Sequence, residues 1–277
     1  MPEPQAEVMG AILAPPKNQD RRLKSRLKRA WPPAAVLLGV VLIWEFAVHF
    51  FDIPKYILPA PSSILSTLVS KWTSSLASAT WVTLTEVLIG FVLSLVTAIL
   101  IAVVLHASEH VRRGVYPLLI GSQTIPIVVI GPILAIIFGY NIVPKVILVT
   151  LICFFPIVVT TIDGLASVDP MLIRMMKTLY GTRWSIFTRV EFPAALPSMF
   201  SGIRVAASYA AIGAVFGEYA GSSNGLGYIM IQATPQLQTA MVFAAILLLS
   251  AISVVMFVLV TAAERFLIPW ADDGKSL

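Results

Sequence analysis

Charge is scarce in this chain. Asp, Glu, Lys and Arg make up 12% of its 277 residues, whereas 58% are hydrophobic, and the mean hydropathy is +0.89. A soluble globular domain carries about twice that share of charge, so the composition excludes one and indicates an integral membrane protein. Cysteine is nearly absent. The single Cys153 lies inside an apolar run, cannot form an intrachain disulfide, and has packing as its default role. There is no GxxxxGK[ST] phosphate loop, no CxxC, no HExxH and no GxSxG. The chain therefore offers no evident nucleotide site, metal site or nucleophile of its own. The three histidines, His49, His106 and His110, fall near predicted membrane boundaries and do not form a spaced ligand set.

What the sequence does have is long apolar runs. A bilayer core of about 30 Å needs roughly 20 apolar residues per helix, and six runs qualify: Pro33 to Phe51, Thr80 to His106, Tyr116 to Phe138, Val143 to Ile162, Met199 to Tyr219 and Thr239 to Arg265. None alternates apolar and polar residues as barrel strands would. The predicted fold class is an all-α integral membrane protein with six transmembrane helices. The first run follows about 30 polar residues with no separate short apolar region, which reads as an uncleaved first span. The organisation expected is a basic arm over 1–32, a first span and external loop over 33–79, a core over 80–265 and a tail over 266–277.

Lys and Arg accumulate in cytoplasmic segments. Starting inside, fifteen of them fall on one side: Lys17, Arg21, Arg22, Lys24, Arg26, Lys28, Arg29, Arg112, Arg113, Arg174, Lys177, Arg183, Arg189, Arg265 and Lys275. The other side holds Lys55, Lys71 and Lys145. Both termini are predicted to be cytoplasmic. This asymmetry, with attraction to anionic lipid, accounts for the net charge of +5 without nucleic-acid binding. Ionisable residues inside spans are costly and default to functional candidates. Glu45, Glu86 and Glu218 lie toward the outer ends of their spans, and Arg204, the one base placed within a span, lies about a turn from the cytoplasmic boundary. Interfacial or interhelix-bonded side chains are the plain reading, and proton coupling through Glu45 or Glu86 is the alternative.

Between the fourth and fifth runs lies a polar block over about 164–197. Asp169 and Pro170 read as a helix cap and first-turn proline. Leu172, Met175, Met176 and Leu179 follow at i, i+3, i+4 and i+7, with Arg174 and Lys177 on other faces. Gly181 breaks that helix, Thr182 can cap a second one bearing Trp184, Phe187 and Val190, and Pro193 and Pro197 are expected to end it before the fifth span. The apolar stripe either rests on the protein's own spans and lipid or receives a soluble partner.

The block DPMLIRMMKTLYGTRWSIFTRVEFPAALPSMFSGIRVA resembles the cytoplasmic signature loop of ABC importer permeases of the binding-protein-dependent type. That pattern is Glu-Ala-Ala, three residues, Gly, nine residues, then Ile-x-Leu-Pro. The likeness covers roughly Thr80 to Arg265 and is nearest the nitrate, sulfonate, taurine and thiamine-precursor branch. The alignment places Arg174, Met175 and Met176 at the Glu-Ala-Ala positions and Tyr180 at the glycine, with Gly181 one place late. Val190 and Phe192 stand where Ile and Leu would.

The resemblance implies a coupling surface of Leu172, Arg174, Met175, Met176, Lys177, Leu179, Tyr180, Gly181 and Trp184 for a separate ATP-binding ABC subunit, which would hold ATP and Mg. It also implies an external solute-binding protein, a second permease copy as a homodimer, and a place in the bacterial inner membrane. Candidate pathway residues are Gln123, Thr124 and Pro126 beside the kink expected in the third span, and Ser208, Tyr209 and Glu218 on the small-residue fifth span. GEYAGSSNGLG looks most like vitamin-precursor permeases, so the cargo expected is a small heteroaromatic such as a thiamine pyrimidine precursor; the alternatives are sulfonate, taurine or nitrate import.

Overall fold

The computed structural model describes residues 19–271. Positions 1–18 and 272–277, with Lys17 and Lys275 of the charge asymmetry, lie outside the described residues. The chain divides after Ser63 into two units.

The first unit contains α1 (Gln19–Phe50), apolar from Ala35 onward. Its Glu45 carboxylate accepts the Ser62 N–H at 3.0 Å and the Ser62 hydroxyl at 2.7 Å. Ser62 follows Pro61 at the start of α2 (Pro61–Lys71), where N–H groups have no partner within the helix. Glu45 therefore acts as a capping anion for that turn, with His49 Nδ1 lying 3.6 Å away. That is the interhelix-bonded reading for this residue.

In the second unit α2 runs through a wide turn, Trp72–Leu76, into α3 (Ala77–Ala107). Residues 61–79, expected as external loop, are helical: the helix from Pro61 to Ala107 spans 47 residues. Then follow α4 (Glu109–Ser122), α5 (Ile127–Phe138), α6 (Ile142–Ala166), α7 (Pro170–Thr178), α8 (Arg183–Ile186), α9 (Phe192–Tyr219), α10 (Leu226–Ala233) and α11 (Thr239–Leu267). The described residues contain no strand.

Four helical stretches are long and apolar enough to cross a membrane: 61–107, 142–166, 183–219 and 239–267. The expected third span, Tyr116 to Phe138, is broken rather than kinked, because α4 and α5 meet at 95°. Pro126 supplies no N–H and disfavours helical geometry at Ile125. The Ser122 and Thr124 hydroxyls bond the carbonyls of Leu119 and Gly121, each at 2.7 Å, and so satisfy acceptors at the break. The apolar part of α1, Ala35–Phe50, is shorter than the four long stretches.

The expectation that Pro193 and Pro197 end the second platform helix is also corrected. Helix runs from Arg183 to Tyr219 without interruption. Between α8 and α9 the chain widens into a π-type turn, Phe187–Glu191, and Pro193 falls in the first turn of α9, where its missing donor matters least. Pro197 lies within the helix.

Packing in this unit inverts the pattern of a soluble domain, as expected where lipid is the solvent. Small residues are inside: Ala79, Ala98, Ala102, Ala206, Ala207, Ala210 and Ala214 are fully buried. Large aliphatic residues are outside, including Val92, Leu100 and Val104 on α3 and Val254, Val258 and Leu259 on α11. The small residues let α9 lie very close to α6. A Cβ on Gly213 would sit 2.7 Å from Val149 Cα, and one on Gly217 would sit 2.7 Å from Lys145 Cα.

Candidate functional site: a platform and a buried cluster

At one end of the second unit, Asp169 Oδ1 accepts the Met171 N–H at 2.7 Å and Pro170 follows, so the expected cap of α7 is present. Thr182 caps α8 by accepting the Ser185 N–H at 3.2 Å. In the turn between them the Gly181 N–H reaches Met176 O at 2.9 Å and the Tyr180 N–H reaches Lys177 O at 3.2 Å. These two bonds define a Schellman closure. Its left-handed residue is Tyr180, with φ +56°. The family glycine position therefore coincides with the conformation that favours glycine, and a tyrosine occupies it. Gly181 is needed for another reason: a Cβ there would lie 2.7 Å from Met176 O. Since a non-glycine residue in this region costs about 1 kcal/mol or more, Tyr180→Gly is expected to slow amide exchange at Gly181 about fivefold; faster exchange would refute the strain.

Leu172, Met175, Leu179, Tyr180 and Trp184 are all exposed, Tyr180 at 96% and Trp184 at 72%, while Met176 is half-buried. Arg174 and Lys177 are exposed beside them. Little of the apolar stripe rests on the protein's own helices. The platform is nevertheless fixed to α3. His106 Nε2 and Glu191 Oε2 are 3.0 Å apart, and Arg183 donates to Ala107 O at 3.3 Å at the end of α3. Phe187 stacks on Trp184 with centroids 5.9 Å apart. Sequence reasoning missed His106, Glu191 and this use of Arg183, because their pairing depends on where α3 ends relative to the platform.

About 20 residues separate His106 from Glu86 along α3, a rise of about 30 Å, so the second site lies at the opposite end of the helices. There Lys145, expected on the outer side between spans, is in α6 and nearly fully buried, and its Nζ lies 2.9 Å from Glu86 Oε1. Arg204 is thus not the only base within the spans, and it too is paired, 2.9 Å from Glu264 on α11. Lys145 also donates to Ser222 Oγ at 2.7 Å. Glu218, 1% exposed, accepts the Thr83 hydroxyl at 2.5 Å and the N–H groups of Gly227 and Tyr228 at 2.5 and 3.2 Å. Thr83 Oγ1 in turn accepts the Leu226 N–H at 2.9 Å. The cluster joins α3, α6, α9 and α10. One signal for Lys145 was present: apolar residues resume directly after it, as in a span rather than a loop.

Of the remaining candidates, Gln123, Thr124 and Pro126 are exposed at the break between α4 and α5. Ser208 and Tyr209 are on α9; Tyr209 is exposed, and Ser208 lines a groove of 430 Å³ against α11 with Ile212, Phe216, Ser250 and Ser253.

Three comparisons bear on identity. Residues 94–269 match the family model of the binding-protein-dependent transport system inner membrane component. The formylaminopyrimidine transport permease ThiX of Halalkalibacterium halodurans is 36% identical over 245 residues, covering 88% of this chain and 98% of that protein. The putative aliphatic sulfonates transport permease SsuC of Bacillus subtilis is 27% identical over 270 residues, covering 97% and 98%. Among solved structures, an inward-facing form of the MetNI methionine ABC transporter shares the fold at a TM-score of 0.56 and 18% identity, covering 68% of this chain and 95% of that one. A family match over most of the second unit, a relative aligned nearly end to end and an all-helical fold of this kind agree: the chain belongs to the binding-protein-dependent inner membrane components, the multi-pass permease subunits of ABC importers.

Proposed function

We propose that this chain forms, as a homodimer, the pathway of an ATP-driven importer with both termini in the cytoplasm. It receives a small heteroaromatic solute, such as a thiamine pyrimidine precursor, from an external binding protein, and its platform seats a separate ATPase that holds ATP and Mg. The observation that carries this reading is the exposed apolar face of Leu172, Met175, Leu179, Tyr180 and Trp184 on a platform whose base is bonded to α3. A face of that kind belongs against another protein or a membrane surface; its methionines suit an adaptable protein contact, and Arg174 and Lys177 beside it are exposed as well.

Cargo chemistry is supported by what the groove between α9 and α11 offers. Its walls are apolar with hydroxyls from Ser208, Ser250 and Ser253. Lys145 and Arg204, the bases found within the helical spans, already have carboxylate partners, which disfavours binding of a sulfonate or nitrate. The greater identity to the formylaminopyrimidine permease than to the sulfonate permease points the same way.

The test is purification of tagged full-length chain from its native membrane, followed by reconstitution with its binding protein. An ATPase subunit is expected to co-purify, and ATP-dependent uptake of labelled formylaminopyrimidine is expected in proteoliposomes. Taurine uptake in its place would overturn the cargo assignment. Each buried Leu or Met side chain contributes about 1.5–3 kcal/mol, so the triple variant Leu172→Asp, Met175→Asp and Trp184→Ala is expected to weaken ATPase binding by more than about 100-fold. Full retention of the ATPase would overturn the docking assignment.

A further inference from the structure

The connection from Ala220 to Ala233, which includes α10, carries no charged residue, yet charged side chains hold it. Lys145 bonds Ser222 at 2.7 Å. Ser222 Oγ donates to Asn224 O at 2.5 Å, which closes the turn before α10. The first N–H groups of α10, which no helix can satisfy internally, go to Thr83 and Glu218. A carboxylate is the group best suited to that place, since helix N-termini favour negative charge. Gly225, at φ +125°, makes the approach possible: a Cβ there would overlap the Glu218 carboxyl group.

Glu218 is contributed by the far end of the same continuous helix, 183–219, that begins in the platform. The carboxylate is buried and oriented by a hydroxyl on α3. Lys145 on α6 lies against Gly217, the neighbouring residue of α9. Glu86 Oε1 pairs with Lys145, and the Glu86 side chain also lies beside that of Glu218. Several helices thus place one carboxylate at the start of an otherwise uncharged external segment.

We infer that Glu218 is a positioning residue that fastens the segment 220–233 to the platform helix, so that motion begun at the cytoplasmic end carries this outer segment with it as one body. The inference rests on the permease reading above. Thr83 sets the direction of the Glu218 carboxylate, and Lys145 holds the turn at Ser222. If the fastening is lost, hydrolysis continues while the outer segment no longer follows.

The test uses the complete permease and ATPase complex in proteoliposomes with its binding protein, comparing Glu218→Gln, Thr83→Val and the conservative Thr83→Ser. Two quantities are measured: ATP consumed per solute taken up, and amide exchange of Gly227 to Met230. In Glu218→Gln and Thr83→Val, exchange is expected to rise about tenfold, as for loss of a charge-assisted bond. The ATP-to-solute ratio is expected to rise severalfold with hydrolysis little changed, while Thr83→Ser stays near wild type. Unchanged exchange in both variants would show that Glu218 does not hold the segment. Faster exchange with an unchanged ratio would show that the segment is not a coupling element. If Glu218→Gln fails to assemble, Thr83→Val decides, because it leaves every charge in place. A wild-type complex without ATP-driven uptake would instead defeat the permease reading, and the exchange arm would still judge Glu218.

Discussion

Gly213→Leu is expected to prevent assembly of the second unit at growth temperature, the largest single-residue effect this fold predicts. The added side chain has nowhere to go, because its Cβ alone would sit 2.7 Å from Val149 Cα, 3.1 Å from Val149 N and 3.3 Å from Leu148 O. These are backbone atoms, which cannot rotate aside as a flexible side chain could. Accommodation means moving α9 away from α6, and that loosens the neighbouring contacts as well, since a Cβ on Gly202 would lie 2.6 Å from Pro156 O and one on Gly217 2.7 Å from Lys145 Cα. Overpacking costs about 1–3 kcal/mol where neighbours can adjust; against backbone along a whole helix face the cost is expected to exceed that range. In a membrane, close contact is the main force between helices, so little compensates. Thermal melting in detergent measures it, with Gly121→Leu as control because nothing lies within 4 Å of a Cβ there. A Gly213→Leu melting temperature within about 2 °C of wild type would exclude the close approach.

Lys145→Met is expected to lose about 3–5 kcal/mol, the cost of leaving one partner of a buried ion pair uncompensated. Exposed ion pairs contribute about 0–1 kcal/mol, so the size of the loss reports whether Lys145 is buried at Glu86 or lies in a solvated loop. Restoring balance is the sharper measurement. Lys145→Met with Glu86→Gln removes both charges, and the double variant is expected to be more stable than Lys145→Met alone. Groups in direct contact show coupling energies of about 0.5–3 kcal/mol. Additive losses in the cycle would mean that Lys145 and Glu86 do not interact, contrary to the 2.9 Å contact.

Hydropathy was enough to read the helical fold, because a span is a local property of about 20 residues. The platform was legible for a similar reason: Asp169, Pro170, Gly181 and Thr182 act within one turn of where they stand, and their caps appear as expected. Misreadings arose where a residue's meaning depends on another element. Pro193 looked like a terminator because a proline in a regular helix removes a needed donor. Here the register widens just before it, and the helix continues through it. Pro126 signalled a bend but not its angle, which also depends on the local bonds of Ser122 and Thr124. Lys145 counted as an outer charge because a lysine by itself reads as solvated. Its carboxylate lies nearly 60 positions earlier, and only the mutual register of α3 and α6 brings the two together. The apolar stripe of α7 had two readings from periodicity alone, and its exposure removes the chain's own helices as its main cover, leaving lipid or a partner.

The uninterrupted helix from Arg183 to Tyr219 has a mechanical meaning. Its 37 residues make a rod about 55 Å long, while the bilayer core is about 30 Å thick. The tight contacts at Gly202, Gly213 and Gly217 hold it against α6 over the half that ends at Tyr219, so the two helices are bound to move as one piece. A tilt of about 5° about one end would displace the other by roughly 5 Å, given that length. Any rotation of the pair would then reach both ends at once, with no signal needing to pass from residue to residue.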